Sequence, residues 1–181
     1  KEVYIGGVTA CSCGDGFGVS VSEAELQMRQ AVIEDVYDFG IDAFAAKLDL
    51  QDVSIRDVYS LMDLELGAIF ASETDVVADR VLIFDVETGG YSQMTSSKAV
   101  LTNFVVGQAG AEAIYSVDSE LEISQFYARD CGTQGVTAYG SSMTMERFLI
   151  RDIQPHAEYW STGIMVTDVV EMNLSDGALW N

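Results

Sequence analysis

Few side chains in this sequence could carry acid–base or nucleophilic chemistry. His156 is the only histidine, so any proton relay through an imidazole would have to use it. It lies in residues 154–160, a segment that interrupts the repeat described below and is typical of a surface loop. No Gly-x-Ser-x-Gly elbow, phosphate-binding loop or His-Glu-x-x-His helix occurs. The sequence therefore predicts no catalytic residue.

Carboxylates are the most abundant reactive groups, and one set of them is periodic. The set is Asp35, Asp57, Asp85, Asp130 and Asp152, with Gln108 at the intervening position. In stacked repeats such groups lie ~5 Å apart, where like charges repel unless backbone N–H groups or a cation compensate. Two interpretations stay open: aspartates that cap the backbone of a turn, and weak calcium ligands. No organic cofactor is expected.

The periodicity extends through most of the chain. Seven copies of one pattern follow each other in steps of 22, 28, 23, 22, 22 and 28 residues. Each copy has three short patches of alternating apolar residues, which predict three strands with one buried face each. The patches are three to five residues long and separated by Gly, Ser, Asp and Thr, so almost no helix is expected.

Reading the copies in parallel predicts three rows of inward-facing residues. The first-strand row is Val19, Ile41, Ile69, Ser92, Ile114, Val136 and Ile164. The second-strand row is Leu26, Leu48, Val76, Ala99, Leu121, Met143 and Val170. The third-strand row is Ile33, Ile55, Ile83, Val106, Ala128 and Ile150. These rows are the expected core.

The pattern resembles the right-handed parallel β-helix repeat proteins of the pectin-lyase-like superfamily. The resemblance covers about residues 17–174 and rests on Leu26-x-Met28 followed by Ile33-x-Asp35-Val36. We therefore expect an all-β, single-domain, right-handed parallel β-helix of about seven three-stranded coils. Residues 1–16 are expected to form a partial coil or cap, and residues 175–181 the C-terminal end, whether or not the chain is truncated there.

The superfamily includes polysaccharide lyases and glycoside hydrolases, so a polysaccharide-active enzyme, or a fragment of one, is the alternative function. The paired aspartates with His-Gly and Arg-x-Lys motifs of one branch are missing, as is the Arg-x-x-Arg-x-Pro pattern of the other. The favoured interpretation is a non-catalytic scaffold that binds carbohydrate or a protein partner through its flat faces.

Two sets of outward positions are candidates for binding. The first strand carries four aromatic residues that could stack on sugar rings: Phe44, Phe70, Tyr115 and Tyr139. The third strand carries an almost wholly apolar outward row: Val32, Ser54, Leu82, Val105, Tyr127 and Leu149. Arginines flank this row, namely Arg56, Arg80, Arg129, Arg147 and Arg151. Such a face indicates an acidic partner, or a face covered by another chain or by a missing segment of this one. Self-association through this face or through the open coil ends is a further expectation.

Cysteine spacing and charge complete the sequence-based expectations. Cys131 is predicted to lie in the core about 20 Å from Cys13, too far for a disulfide, and therefore to be a buried free thiol. The pairing of Cys11 and Cys13 is left open. A net charge of −20 makes nucleic acid a poor partner. No apolar run reaches the ~20 residues of a membrane span, and an extracellular or cell-surface location is expected, with any signal peptide already removed.

Overall fold

A computed structural model describes residues 3–6, 17–60, 67–154 and 162–180, which form strands, bends and short irregular connections. No helix occurs among these residues, so the all-β expectation is confirmed. The strands are β1 (Val3–Gly6), β2 (Val19–Ser22), β3 (Glu25–Tyr37), β4 (Ile41–Phe44), β5 (Lys47–Tyr59), β6 (Gly67–Ser72), β7 (Asp75–Val86), β8 (Gly89–Met94), β9 (Lys98–Ala109), β10 (Ile114–Val117), β11 (Glu120–Arg129), β12 (Gln134–Tyr139), β13 (Ser142–Arg151), β14 (Thr162–Thr167), β15 (Glu171–Ser175) and β16 (Ala178–Trp180).

The strands form two sheets in which every pairing is parallel. The nine-stranded sheet runs β1-β3-β5-β7-β9-β11-β13-β15, with β16 also paired to β13. The seven-stranded sheet runs β14-β12-β10-β8-β6-β4-β2. Spatial order therefore follows chain order in both sheets, and each repeat adds one strand to each sheet. Parallel sheets of this kind bury apolar side chains along every strand, as the alternation in the sequence requires.

In every repeat before the last, the second and third expected strands form one continuous strand with a bend. In β3, Arg29 and Gln30 both face outward between the buried Met28 and Ala31, and the pairing with β5 skips Gln30. The residues at this bend are in the left-handed region in successive repeats: Gln30, Asp52, Arg80, Asn103, Gln125 and Arg147. The expectation of three separate strands is thus corrected. Each repeat still presents three flat segments, which we call the first, second and third segments.

Left-handed residues also mark the other two corners of each repeat. The corner after the third segment has φ values of 52–57° at Asp35, Asp57, Asp85, Gln108, Asp130 and Asp152. The corner after the first segment uses Glu23, Ala45, Glu73, Ser96, Asp118, Gly140 and Asp168. Aspartate adopts this conformation more readily than most residues because its short polar side chain can bond locally. The periodic aspartates are therefore explained by the backbone that they must accommodate.

The core rows agree with the prediction except at two positions. The third-segment row pairs in register throughout, and Ile33, Ile55 and Ile83 are fully buried. In the first segment, however, Tyr91 rather than Ser92 pairs with Ile69 and Ile114 and faces inward. The extra residue of that repeat lies at the first corner, where Thr95 and Ser96 are both left-handed. The prediction applies the 23-residue step to all three segments. It therefore puts the extra residue before the first segment, and the expected register of that segment is wrong by one residue.

The second exception lies in the last repeat. Met172 pairs with Met143, so it takes the inward position expected of Val170. Val170 instead lies in the bend before β15 and is 77% exposed. The repeat pattern also continues beyond residue 174, because Ala178–Trp180 pairs with the third segment of β13.

Several buried polar groups inside the stack are hydrogen-bonded to each other and to the corners, whereas the buried Ser92 hydroxyl has no hydrogen-bond partner among the described residues. Gln93 donates from Nε2 to Ser116 Oγ at 2.9 Å and to the Glu120 carbonyl oxygen at 3.2 Å, and its Oε1 accepts from Tyr91 Oη at 3.0 Å. At the first corner a row of hydroxyl residues, Thr74, Ser97, Ser119 and Ser141, donates to nearby carbonyl oxygens. These bonds satisfy groups that would otherwise be costly to bury.

Candidate binding surface

The outward apolar row of the third segment exists as the sequence suggested. Val32, Ser54, Leu82, Val105, Tyr127 and Leu149 pair in register across six repeats. They alternate with the fully buried Ile33 row, so they must face away from the core. Leu82 is exposed and the other five are half-buried. The row therefore forms one continuous stripe along the stack of repeats.

A second outward row runs beside the apolar row and was only partly recognised from the sequence. Its members are Glu34, Arg56, Phe84, Gly107, Arg129, Arg151 and Trp180. A Cβ atom at Gly107 would lie 2.8 Å from Cδ2 of Phe84, so the ring extends across the glycine. The two rows together define the third-segment face, the name used below for this surface.

Aromatic rings and arginines lie against each other on the third-segment face. The Arg129 guanidinium carbon is 5.8 Å from the centre of the Phe84 ring, and that of Arg151 is 5.6 Å from the centre of the Tyr127 ring. Arg151 also donates from Nε to Tyr127 Oη at 2.7 Å. Cation–π contacts at such exposed positions contribute roughly 0.5–1 kcal/mol each. They keep both guanidinium groups against the aromatic rings of the face.

Most of the flanking arginines are paired with carboxylates of the chain itself. Arg56 donates to Glu34 with 2.5 Å between Nε and Oε2. Arg129 and Arg151 lie 3.8 and 3.5 Å from the corner aspartates that follow them, measured from Nε to Oδ2. Arg147 is exposed and forms no ion pair within the described ranges. The rim of the third-segment face therefore carries both signs of charge rather than a positive excess.

Arg80 lies at the bend and forms a bidentate contact with Asp52. Its Nε and Nη2 donate to the two carboxylate oxygens of Asp52 at 2.5 and 3.0 Å, and Nη1 also contacts Asp79. The hydrogen bond from Arg80 lowers the pKa of Asp52, and Arg29 does the same for Asp49. These carboxylates therefore stay ionised below neutral pH, and the charged rim persists there.

The corner aspartates do not form a metal-binding arrangement. Asp57, Asp130 and Asp152 each lie within 4.0 Å of the arginine that precedes them. Across the residues that the structure covers, no group of three His, Cys, Asp or Glu side chains is placed to hold a metal ion. The geometry favours the turn interpretation of Asp35, Asp57, Asp85, Asp130 and Asp152 over the calcium interpretation.

The four aromatic residues of the first segment do not form one platform. Phe70 and Tyr115 lie in one outward row with the fully buried Ser92 between them, whereas Phe44 and Tyr139 lie in the neighbouring row. Tyr115 and Tyr139 meet edge to face with ring centres 6.0 Å apart. Phe44 is 46% exposed, and the other three are half-buried. A single sugar ring could therefore reach the face of Phe44, but an extended stacking surface is not formed.

Two open depressions lie along the outer side of the second segment. They have volumes of about 260 and 330 Å³ and meet at Glu120 and Ser142. Lys98 Nζ lies 2.7 Å from Glu120 Oε2 there, and this hydrogen bond raises the pKa of the lysine. The linings are hydroxyl, amine and carboxylate groups, together with a few apolar side chains. No hydroxyl in them is paired with a histidine or other general base.

The predicted buried thiol is confirmed. Cys131 is fully buried and free, and its burial raises the pKa of the thiol to about 12. Such a thiol is not a nucleophile at neutral pH. Cys11, Cys13 and His156, the other residues considered for redox, metal or acid–base chemistry, lie outside the described residues.

Four members of the third-segment face were missed by sequence reasoning: Glu34, Phe84, Gly107 and Trp180. All four occupy the repeat position of Arg56, Arg129 and Arg151. A signal was present in the sequence, because two aromatic residues and a glycine stand in a row otherwise occupied by charged residues. Only the register reveals that Phe84 and Gly107 are neighbours.

Comparison with known proteins assigns the chain to no family. No protein-family model matches the chain, and no curated protein or solved structure matches it. Within the described ranges there is no helix long and apolar enough to cross a membrane.

Proposed function

We propose that this chain is a right-handed parallel β-helix of about seven coils, similar to the pectin-lyase-like proteins, and that it acts as a binding scaffold. Its third-segment face binds a protein partner. The observation that carries the proposal is the apolar row from Val32 to Leu149, which stays in register across six repeats and remains partly exposed. Extended apolar stripes bordered by charged groups are typical of protein interfaces.

The size of the face indicates what kind of partner it suits. Five steps of ~4.8 Å make the row about 24 Å long. Burying four or five of its side chains contributes on the order of 5 kcal/mol before association entropy is subtracted. That is too little for a tight complex through the apolar row alone. The arginine–carboxylate pairs at the rim must therefore add selectivity, and the fitting partner is an elongated segment carrying both apolar and charged side chains.

An extracellular or cell-surface location belongs to the same proposal. Twenty more acidic than basic groups keep such a scaffold soluble in salt. No bound cofactor is proposed. The corner aspartates act on the backbone, so adding millimolar calcium is expected to leave the melting temperature of the protein unchanged.

Carbohydrate binding is the second candidate, because Phe44 is exposed between Ser22 and Ser72 in its outward row. The two candidates are separated by probing the purified protein on a glycan array and on a peptide array. We expect peptide binding that is lost in the Leu82→Lys, Leu149→Lys double variant and retained in Phe44→Ser.

The opposite outcomes are equally informative. Glycan binding that is lost in Phe44→Ser would replace the protein partner by a carbohydrate. Release of unsaturated uronates from a polysaccharide would identify a lyase, and release of saturated reducing ends would identify a glycoside hydrolase. A protein that binds neither array and stays monomeric in light scattering would contradict the scaffold proposal.

A further inference from the structure

The third-segment face has a polar row on each side of its apolar row. On the corner side lies the outward row that runs from Glu34 to Arg151. On the bend side lie the left-handed residues of the same six layers, in order Gln30, Asp52, Arg80, Asn103, Gln125 and Arg147. In every layer the bend residue is two positions before the apolar residue, and the corner-row residue is two positions after it. The face therefore consists of three parallel rows.

The six layers of this face lie inside the stack. β1 pairs with the third segment of β3 on one side, and β16 pairs with the third segment of β13 on the other. Each layer from Val32 to Leu149 thus has a described strand next to it in both directions. Leu82, in the third of these layers, is 41% exposed. Its exposure therefore belongs to the side of the stack and not to an end.

The apolar row is complementary to itself under a twofold rotation. The centre of the row lies between Leu82 and Val105, which occupy the third and fourth of the six layers. Rotation by 180° about an axis perpendicular to the face at this point puts Leu82 over Val105 of a second copy. It also puts Ser54, the smallest side chain of the row, over Tyr127, the largest. A small side chain opposite a large one lets two sheets pack at the usual ~10 Å.

The same rotation places the bend row of each copy over the corner row of the other, and no two like charges meet. Arg147 comes to lie over Glu34 of the second copy, and Asp52 over Arg129. Symmetry produces each of these attractive pairs twice. The remaining pairs each include at least one uncharged residue: Gln30 with Arg151, Gln125 with Arg56, Arg80 with Gly107, and Asn103 with Phe84.

Other registers of the two copies lack this charge complementarity. Shifting the second copy by one layer in one direction leaves no pair of opposite charges between the border rows. Shifting it by one layer in the other direction places Arg80 over Arg129 and Arg147 over Arg56, and these guanidinium groups repel. The centred register is therefore favoured by both shape and charge.

We propose that the partner of the third-segment face is a second copy of this chain, bound face to face in an antiparallel twofold dimer. This inference rests on the proposed function of the face and names its partner. A second third-segment face is itself an elongated surface with both apolar and charged side chains, as the proposed function requires. The contact uses the same surface on both copies, so it closes at two copies and does not extend into a fibre.

The area of the face sets the strength of the dimer. Six layers at ~4.8 Å and five residues at ~3.3 Å cover roughly 29 by 16 Å, or about 900 Å² in the two copies together. Interfaces of this size are at the low end of the specific ones and are typical of reversible complexes. We therefore expect a Kd on the order of 100 µM.

The experiment is sedimentation equilibrium of the whole chain over concentrations from about 10 to 500 µM. Salt at about 0.15 M gives a Debye length of ~8 Å, which screens the general repulsion between two acidic copies. Arg147→Glu replaces two attractive pairs by two repulsive ones and should raise the dimer Kd about tenfold. Glu34→Arg should do the same. The matched control is Lys47→Glu, the same change of charge at an exposed position of the second segment, which should leave the Kd unchanged.

Mixing the two variants tests the register directly. In a mixed dimer of Arg147→Glu and Glu34→Arg copies, the two introduced charges face each other and the symmetry-related pair is native. An equimolar mixture should therefore dimerise nearly as well as the native chain, although each variant alone does not. Recovery in the mixture also shows that both variants are folded.

Each alternative has its own signature. A chain that stays monomeric at all concentrations overturns the dimer, and peptide binding that is lost in the Leu82→Lys, Leu149→Lys variant then assigns the face to a different protein partner. A dimer that persists in that double variant uses another surface and also overturns the proposal. A mixture of Arg147→Glu and Glu34→Arg copies that stays monomeric refutes the antiparallel register. The dimer and the proposed function of the face can thus fail separately.

Discussion

Replacing Ile55 by aspartate tests the register on which all the outward faces depend. Ile55 is fully buried in the third-segment row between Ile33 and Ile83. Losing the isoleucine side chain and leaving a partly filled space costs about 3 kcal/mol. Burial disfavours the ionised form of a carboxylate there, and a pKa raised by two to three units adds about 3–4 kcal/mol. The expected loss is about 6 kcal/mol, a large part of the 5–15 kcal/mol of a typical domain.

The assay is thermal unfolding followed by circular dichroism of the β-sheet signal. At about 2–4 °C per kcal/mol for a chain of this size, Ile55→Asp should lower Tm by at least about 12 °C or prevent folding. The matched control is Ser54→Asp, one residue away in the half-exposed outward row. That change should cost less than about 1 kcal/mol. Equal losses in both variants, or an unchanged Tm for Ile55→Asp, would refute the register.

Two further predictions concern the interior. Cys131 should react with thiol reagents only after denaturant is added, and rapid labelling in native buffer would place it outside the core. Because burial raises its pKa to about 12, the stability that the neutral thiol contributes is fully present below the unfolded value near pH 8.5. It is lost as pH rises towards 12, by about 1.4 kcal/mol per pH unit relative to Cys131→Ala in urea unfolding. Gln93→Leu should lower stability by about 2 kcal/mol because it leaves the buried Tyr91 hydroxyl unpaired, and adding Tyr91→Phe should restore about half. A double variant no more stable than Gln93→Leu alone would show that the Tyr91 hydroxyl finds another partner.

The apolar alternation and its period were sufficient to predict the strands and most of the core. Ile33, Ile55 and Ile83 are each followed two residues later by Asp-Val. Only one side of each strand can be buried, so sequence spacing alone places them inside. The same alternation predicts that the row from Val32 to Leu149 lies on the outside. The burial of Cys131 is predicted because it occupies the same repeat position as the apolar Val36 and Val58. These features depend on local alternation of apolar and polar residues, which can be read directly from the sequence.

Register errors arose where a repeat changes length. The 23-residue step does not say which corner holds the extra residue, and the expected inward Ser92 was wrong for that reason. The structure places the insertion at Thr95 and Ser96 and thereby turns Tyr91 inward. A corner can absorb one more left-handed residue without disturbing the hydrogen bonds of either neighbouring segment. The spacing of the repeats cannot show which corner holds the extra residue.

By itself, the sequence determined that this is an all-β repeat protein with an apolar outward stripe and without a recognisable catalytic pattern. Only the tertiary structure decided what the stripe is next to. It brought Phe84 against Gly107 and Arg129, paired Arg56 with Glu34 and Arg80 with Asp52, and so replaced a positive patch by a neutralised rim. These contacts join residues 22 to 45 positions apart in the chain. They depend on which layers stack and on where each side chain turns, and local alternation carries no information about either.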